Sequence, residues 1–306
     1  MKKIVLLGAA VLGILMLVSA ACIPEQVPEN SKGIFYEVKG GDNEAYLFGS
    51  VHFGYEDMYP LDNTVEGAFQ EADVLGLEVD TTAAFMELQV TEKMLQLGTY
   101  SEGKGMTDLV PQETFEEAAG VIKTVGIDSN TLNRFQPWLA AAIISEITIE
   151  EAGLLADYGV ENYFIDQADE EKIDIKGLES IADQLAPYEK LSDESQVIYL
   201  KETLKEKDIA GEYLKEIIEH WKKGNVDYFA QRRQASIEET QTDSLKDFQR
   251  AMLDKRDDQM AAKIEEFVQN DSDSTYFIVV GAMHLAGENS IVEQLRDSGY
   301  EVEKAN

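Results

Sequence analysis

The sequence predicts a mixed α/β fold, of α+β type, whose central sheet is assembled from both ends of the chain around long helical insertions. Three observations predict it. Short runs rich in aromatic and β-branched residues lie near both ends of the chain, and long stretches with helical spacing fill the middle. Two of the three histidines each follow a β-like run through the pattern Gly-x-x-His.

The chain opens with Lys2 and Lys3, runs apolar over residues 4–18 and closes on Ser19-Ala20-Ala21-Cys22. A charged start, an apolar stretch and a small-residue cleavage site predict a signal peptide over residues 1–21. An apolar stretch of about 15 residues is short for a spanning helix, which needs about 20. Cys22, the only cysteine, then becomes the first residue of the mature chain and the predicted lipidation site, which excludes a disulfide within one chain. Residues 23–32, with two prolines and no apolar periodicity, form a spacer of roughly 30 Å when extended. Residues 33–306 are expected to fold as a single domain, since no Pro-, Gly- or Ser-rich linker divides them. The protein is thus expected outside the cytoplasm, lipid-anchored to the cell membrane.

Within the domain, residues 34–38 and 45–48 flank Gly40-Gly41-Asp42-Asn43, a hairpin signal. Further strands are expected at 74–79, 173–176, 276–280 and 300–302, the apolar ones buried on both faces. Helices are expected at about 63–72, 83–97, 111–125, 132–151, 160–169 and 180–186, then at 193–223, 225–239 and 243–269.

The formal charge is −33, and the leader carries two lysines and no acid, so the mature chain is more acidic still. Such a surface repels nucleic acid and anionic headgroups, so no nucleic-acid partner is expected and the lipid must do the anchoring. The acids are spread along helices, as a solvated surface requires.

The chemistry-bearing residues are few. Gly49-Ser50-Val51-His52 and Gly281-Ala282-Met283-His284 each place an imidazole just beyond a strand, the edge where open α/β sheets bind ligands. Gly49 and Gly281 are read as the turn glycines, with freedom for unusual backbone and close approach. A second pairing accompanies the first: Gly76-Leu77-Glu78 and Gly177-Leu178-Glu179 also end strands. His220, on a charged helix without a ligand partner four residues on, is read as a packing or surface residue. No HExxH helix and no Gly-x-Ser-x-Gly elbow is present.

The ordered phrases YLFGSVHFG, VLGLEVD, RFQPW, GVENYFIDQA, IKGLES, LDKRDDQMA and VVGAMHLAGENSIVEQLRDSGYEV resemble the motif set of the TraB/GumN family, which includes the Tiki proteases and pheromone-shutdown proteins. The resemblance implies a fold related to the erythromycin-esterase/ChaN group and a divalent-metal-dependent hydrolase centred on the two Gly-x-x-His motifs. It carries His52 and His284 over as paired site histidines and Glu78 as their acidic partner. Arg256 falls in the family's Arg-Asn segment, where this chain continues with Asp257.

Imidazole and carboxylate are suitable ligands for manganese, cobalt or zinc, and manganese is the metal expected. His52, His284 and Glu78 are therefore the expected metal ligands, and Glu179 a ligand or general base, the division between the glutamates being open. Arg256 and Arg134 are candidates to hold a substrate carboxylate or an oxyanion. Two readings follow: a metal-dependent peptidase acting on extracytoplasmic peptides, or a non-catalytic surface lipoprotein that sequesters a peptide, or haem or metal, on the same fold.

Overall fold

The computed structural model describes residues 30–82, 86–270 and 273–306, without the side chains of residues 86 and 87. Cys22, the leader and the spacer up to residue 29 lie outside the described residues, as do the first residues of the helix expected from 83.

One sheet of six strands forms the centre: β1 (Ile34–Lys39), β2 (Glu44–Ser50), β3 (Val74–Leu77), β4 (Asp174–Gly177), β5 (Thr275–Gly281) and β6 (Glu301–Lys304), in the order β4-β3-β5-β2-β1-β6. β1 pairs antiparallel with β2 through the expected hairpin and with β6 on its other side. The remaining pairs, β2 with β5, β5 with β3 and β3 with β4, are parallel. The sheet is thus mixed, with strands from near both ends of the described residues in it and β4 supplied from the middle.

The central strands read as near-continuous apolar runs because both faces are covered. Every residue of β5 after Thr275 is buried, whereas the edge strand β4 is only half-buried, unlike the two-sided burial expected of apolar strands. Phe277 at the centre packs against Phe48, Phe69 and Phe164, with ring centroids 4.8–6.1 Å apart.

Twelve helices surround the sheet among the described residues: α1 (Asn63–Gln70), α2 (Met86–Gly98), α3 (Gln112–Ile122), α4 (Ser129–Asn133), α5 (Pro137–Glu151), α6 (Val160–Glu171), α7 (Ile181–Glu189), α8 (Asp193–Lys222), α9 (Val226–Glu238), α10 (Asp243–Met252), α11 (Asp254–Gln269) and α12 (Ile291–Asp297). The apolar side chains gather into two clusters. One joins the sheet to α1, α6, α11 and α12; the other lies among α2–α5, α7, the start of α8 and α10. α5 is buried almost all round, as a helix enclosed by others must be, and packs along α8, which reaches both clusters. No helix among the described residues is long and apolar enough to cross a membrane.

Two expected helices are split. The one over 132–151 breaks before Pro137, which forces Gln136 into extended backbone and starts α5 as its first residue. The one over 243–269 breaks at Leu253, whose φ of −113° and ψ of −80° are not helical. α12 was not expected, its seven residues being too short for a clear period.

Candidate active site

The four parallel strands deliver one functional side chain each at their C-terminal ends. Across the sheet from β4 to β2 the order is Glu179, Glu78, His284, His52. Register fixes their levels: Leu77 lies opposite Gly177 and Val279, and Gly281 opposite Ser50.

Glycine matters here for room rather than for backbone freedom. Neither Gly49 nor Gly281 has a positive φ, so the expected conformational reason does not apply. A Cβ on Gly49 would lie 3.0 Å from Ile34 Cβ and 3.1 Å from Ala282 Cα. One on Gly281 would lie 3.2 Å from Glu78 Oε1 and 3.3 Å from His284 Cδ2. The buried Trp221 of α8 donates its Nε1–H to the Gly49 carbonyl at 2.7 Å and so pins the end of β2.

Glu78 Oε1 accepts the Gly281 amide at 2.7 Å and lies 3.7 Å from His284 Nε2. Its Oε2 accepts from Arg256 Nη2 at 2.5 Å and from Gln184 Nε2 at 3.2 Å. Burial opposes ionisation of Glu78, but the charges of Arg256 and of the two imidazoles outweigh it and hold the carboxyl well below the usual range. Glu179 accepts from Arg256 Nε at 3.0 and 3.1 Å and from Nη2 at 2.5 Å, yet burial still raises its pKa. The first turn of α7 supports both glutamates. Ser180 and Asp183 cap it reciprocally directly after Glu179, and Gln184 belongs to the same helix.

Arg256 reaches this place because α10 stops at Leu253. The restart puts Arg256 and Asp257 in the first turn of α11, facing the strand ends.

Each histidine is held from behind. His52 Nδ1 lies 2.8 Å from Glu161 Oε1, which also accepts the Ser50 hydroxyl. Glu161 is brought there by the start of α6, where Val160 N–H donates to Val51 O at 3.1 Å and a Cβ on Gly159 would strike His52 O. Burial lowers the basicity of His52, but the charge and hydrogen bond of Glu161, with Glu78 behind, prevail and raise its pKa to about 9. His284 Nδ1 lies 2.5 Å from Asp257 Oδ1. His284 is almost fully enclosed, whereas His52 keeps 20% of its side chain exposed, so the cluster opens on the His52 side.

His52, Glu78, Glu179, Arg256 and His284 therefore come together. Arg134 does not join them: it is exposed at the end of α4, beside the second cluster, where the break before Pro137 leaves it. His220 stands apart too, stacked on Tyr228 at 3.9 Å with Nδ1 on Asn225. Glu161, Ser50 and Arg233 were not among the expected site residues. Glu161 and Ser50 lay inside quoted motifs, and Arg233 carried no signal.

A profile of the TraB/PrgY/gumN family matches residues 34–304, nearly the whole described chain. The chain belongs to this family. Among TraB/PrgY/gumN relatives, it is 22% identical to the uncharacterized protein YbaP of Escherichia coli, over 84% of this chain and 89% of the relative. It is 23% identical to the metalloprotease TIKI1 of Danio rerio, over 90% of this chain and 64% of that protein. With the metalloprotease TIKI2 of Xenopus tropicalis the identity is 20%, over 85% and 57%. The chain thus spans about three fifths of the Tiki proteins it matches. No solved structure matches it.

The names of the Tiki relatives suggest a divalent metal, and the donor set suits one. Both imidazoles commit Nδ1 to a carboxylate and make no hydrogen bond through Nε2 among the described residues, the usual arrangement of a ligating histidine. As the side chains stand, however, no three His, Cys, Asp or Glu among the described residues form a metal-holding group.

Proposed function

We propose that the protein is a divalent-metal-dependent peptidase acting on extracytoplasmic peptides, tethered to the membrane by a lipid on Cys22. The observation that carries the reading is the row Glu179, Glu78, His284, His52 along the C-terminal edges of four adjacent parallel strands, where α/β sheets bind ligands. His52 and His284 would hold the ion through Nε2, with Glu78 as the carboxylate ligand; manganese, cobalt and zinc all suit these donors. A bound ion supplies Lewis-acid polarisation of the scissile carbonyl.

The chain's own residues do the rest. Glu179, whose carboxyl is raised by burial, is the group suited to take and return a proton. Arg256, committed to both glutamates, sets their spacing and keeps Glu78 ionised. This assigns Arg256 a positioning role instead of the substrate-binding role its sequence position suggests.

The second reading, a lipoprotein that sequesters a peptide without cutting it, is favoured by one observation. The oxygens of both glutamates are already engaged by Arg256, Gln184 and Gly281.

The test is metal analysis of the full chain, purified in detergent, with peptide-library cleavage in added manganese, cobalt or zinc. Metal-dependent cleavage lost in His52→Ala and His284→Ala supports the peptidase. Peptide binding with no histidine-dependent turnover overturns it in favour of sequestration. Retention of the processed Cys22→Ala protein in the membrane would remove the lipid anchor from the proposal.

A further inference from the structure

Asp257 is the fully buried carboxylate behind His284, and it lies between that imidazole and the guanidinium of Arg233. Its Oδ1 is 2.5 Å from His284 Nδ1, and its Oδ2 is 2.6 Å from Arg233 Nη1. The second is a charge contact without the alignment of a hydrogen bond, and Arg233 Nε finds no acceptor. Arg233 is itself 2% exposed. Its Nη1 donates to Met283 O at 2.9 Å and its Nη2 to Asp254 Oδ1 at 2.7 Å. Met283 immediately precedes His284, so one guanidinium of α9 holds both the backbone of the turn and the carboxylate facing the ring.

As a stabilising device this arrangement is poor. Desolvating a buried ion pair costs about as much as the pair returns, and apolar side chains of the same volume would serve as well or better. What it does provide is direction. A carboxylate paired with an arginine accepts and does not donate, so the ring nitrogen facing it must carry the proton. The other nitrogen, Nε2, is then turned towards Glu78 Oε1, 3.7 Å away.

We propose that Asp257, held in place by Arg233, is the positioning residue of His284: it fixes the proton on Nδ1 and aims Nε2 at the strand edge beside Glu78. What Nε2 does there rests on the peptidase reading above; where the proton sits is a property of the fold alone.

The full chain has three histidines, so its imidazole nitrogens can be assigned by 15N–1H spectroscopy of labelled, metal-free protein with His284→Gln as the control. The expected result is a His284 Nδ1–H resonance protected from exchange. It should survive in Asp257→Asn, whose amide oxygen can accept the same bond, and vanish in Asp257→Ala. Cobalt affinity measured alongside should fall by about 10–100-fold in Asp257→Ala and be largely restored in Asp257→Asn. Should Asp257→Ala not fold, the pair Arg233→Met with Asp257→Leu removes both buried charges together and carries the same measurement. An Nδ1 without a proton in the unaltered protein, or a resonance unchanged by removal of the carboxylate, overturns the proposal. If no variant and not even the unaltered protein binds cobalt while the proton behaves as expected, the metal reading fails and the positioning role stands.

Discussion

His52 Nδ1 stands 2.8 Å from Glu161 Oε1, and the two are joined by helix α6 docking its first turn on the β2 turn. The partnership raises the His52 pKa to about 9, above the 6.5 of a free imidazole. A group that binds its proton more tightly when folded stabilises the fold fully below pH 6.5, and this contribution is lost as pH rises through about 9. Metal-free protein should therefore become easier to unfold in urea between these values. Glu161→Gln should bring the His52 titration, followed by its ring-proton shift, down towards 6.5 and flatten the trend. A midpoint near 6.5 in the unaltered protein would sink the assignment.

Arg256 is the shared cation of two buried glutamates. Arg256→Met takes from both carboxylates the guanidinium they share, and breaking a buried pair in this way costs about 3–5 kcal/mol. Urea denaturation at pH 7 should show a loss of that order. A loss within about 1 kcal/mol, the size of a surface pair, would mean that the guanidinium is not the cation these glutamates depend on.

Gly281→Ala adds a methyl 3.2 Å from Glu78 Oε1 and 3.3 Å from His284 Cδ2. The crowding should cost about 1–3 kcal/mol, a typical penalty for overfilling a packed site. Because the displaced atoms belong to the site, kcat/KM for peptide cleavage should fall more steeply than the loss of stability accounts for. Thermal melts and steady-state kinetics on the same preparation compare the two; unchanged kinetics would contradict the placement of Glu78 and His284.

Glu146 on α5 is pushed up to about 7 by burial and by the charge of Glu150 one turn away. Protonated Glu146 suits the fold below the ordinary carboxyl range; the cost of ionising it builds as pH rises from there and is complete once pH passes about 7. Glu146→Gln should raise the melting temperature at pH 8 and leave it nearly unchanged at pH 4. Equal shifts at both would refute the mechanism.

Much of this arrangement was legible in one dimension. A Gly-x-x-His after an apolar run of β-branched residues states a strand and a turn, because both are set by neighbours within a few positions. The paired Gly-Leu-Glu phrases state the same for Glu78 and Glu179. Arg134 and Arg256 looked alike as candidates, and only the fold separates them. A helix break at Leu253 turns Arg256 onto the strand ends, whereas the break before Pro137 leaves Arg134 outside.

The sequence by itself determined the mixed α/β class, the strands that end in His52, Glu78, Glu179 and His284, and the membership of the TraB/PrgY/gumN family that its ordered motifs express. Tertiary structure alone decided that these four strands lie side by side, and that Glu161, Asp257 and Arg233 stand behind the imidazoles. The reason is physical. Strand order and helix docking are settled by burial of apolar faces far apart in the chain, and a buried carboxylate acquires its role only from the charges that this packing brings within a few ångströms.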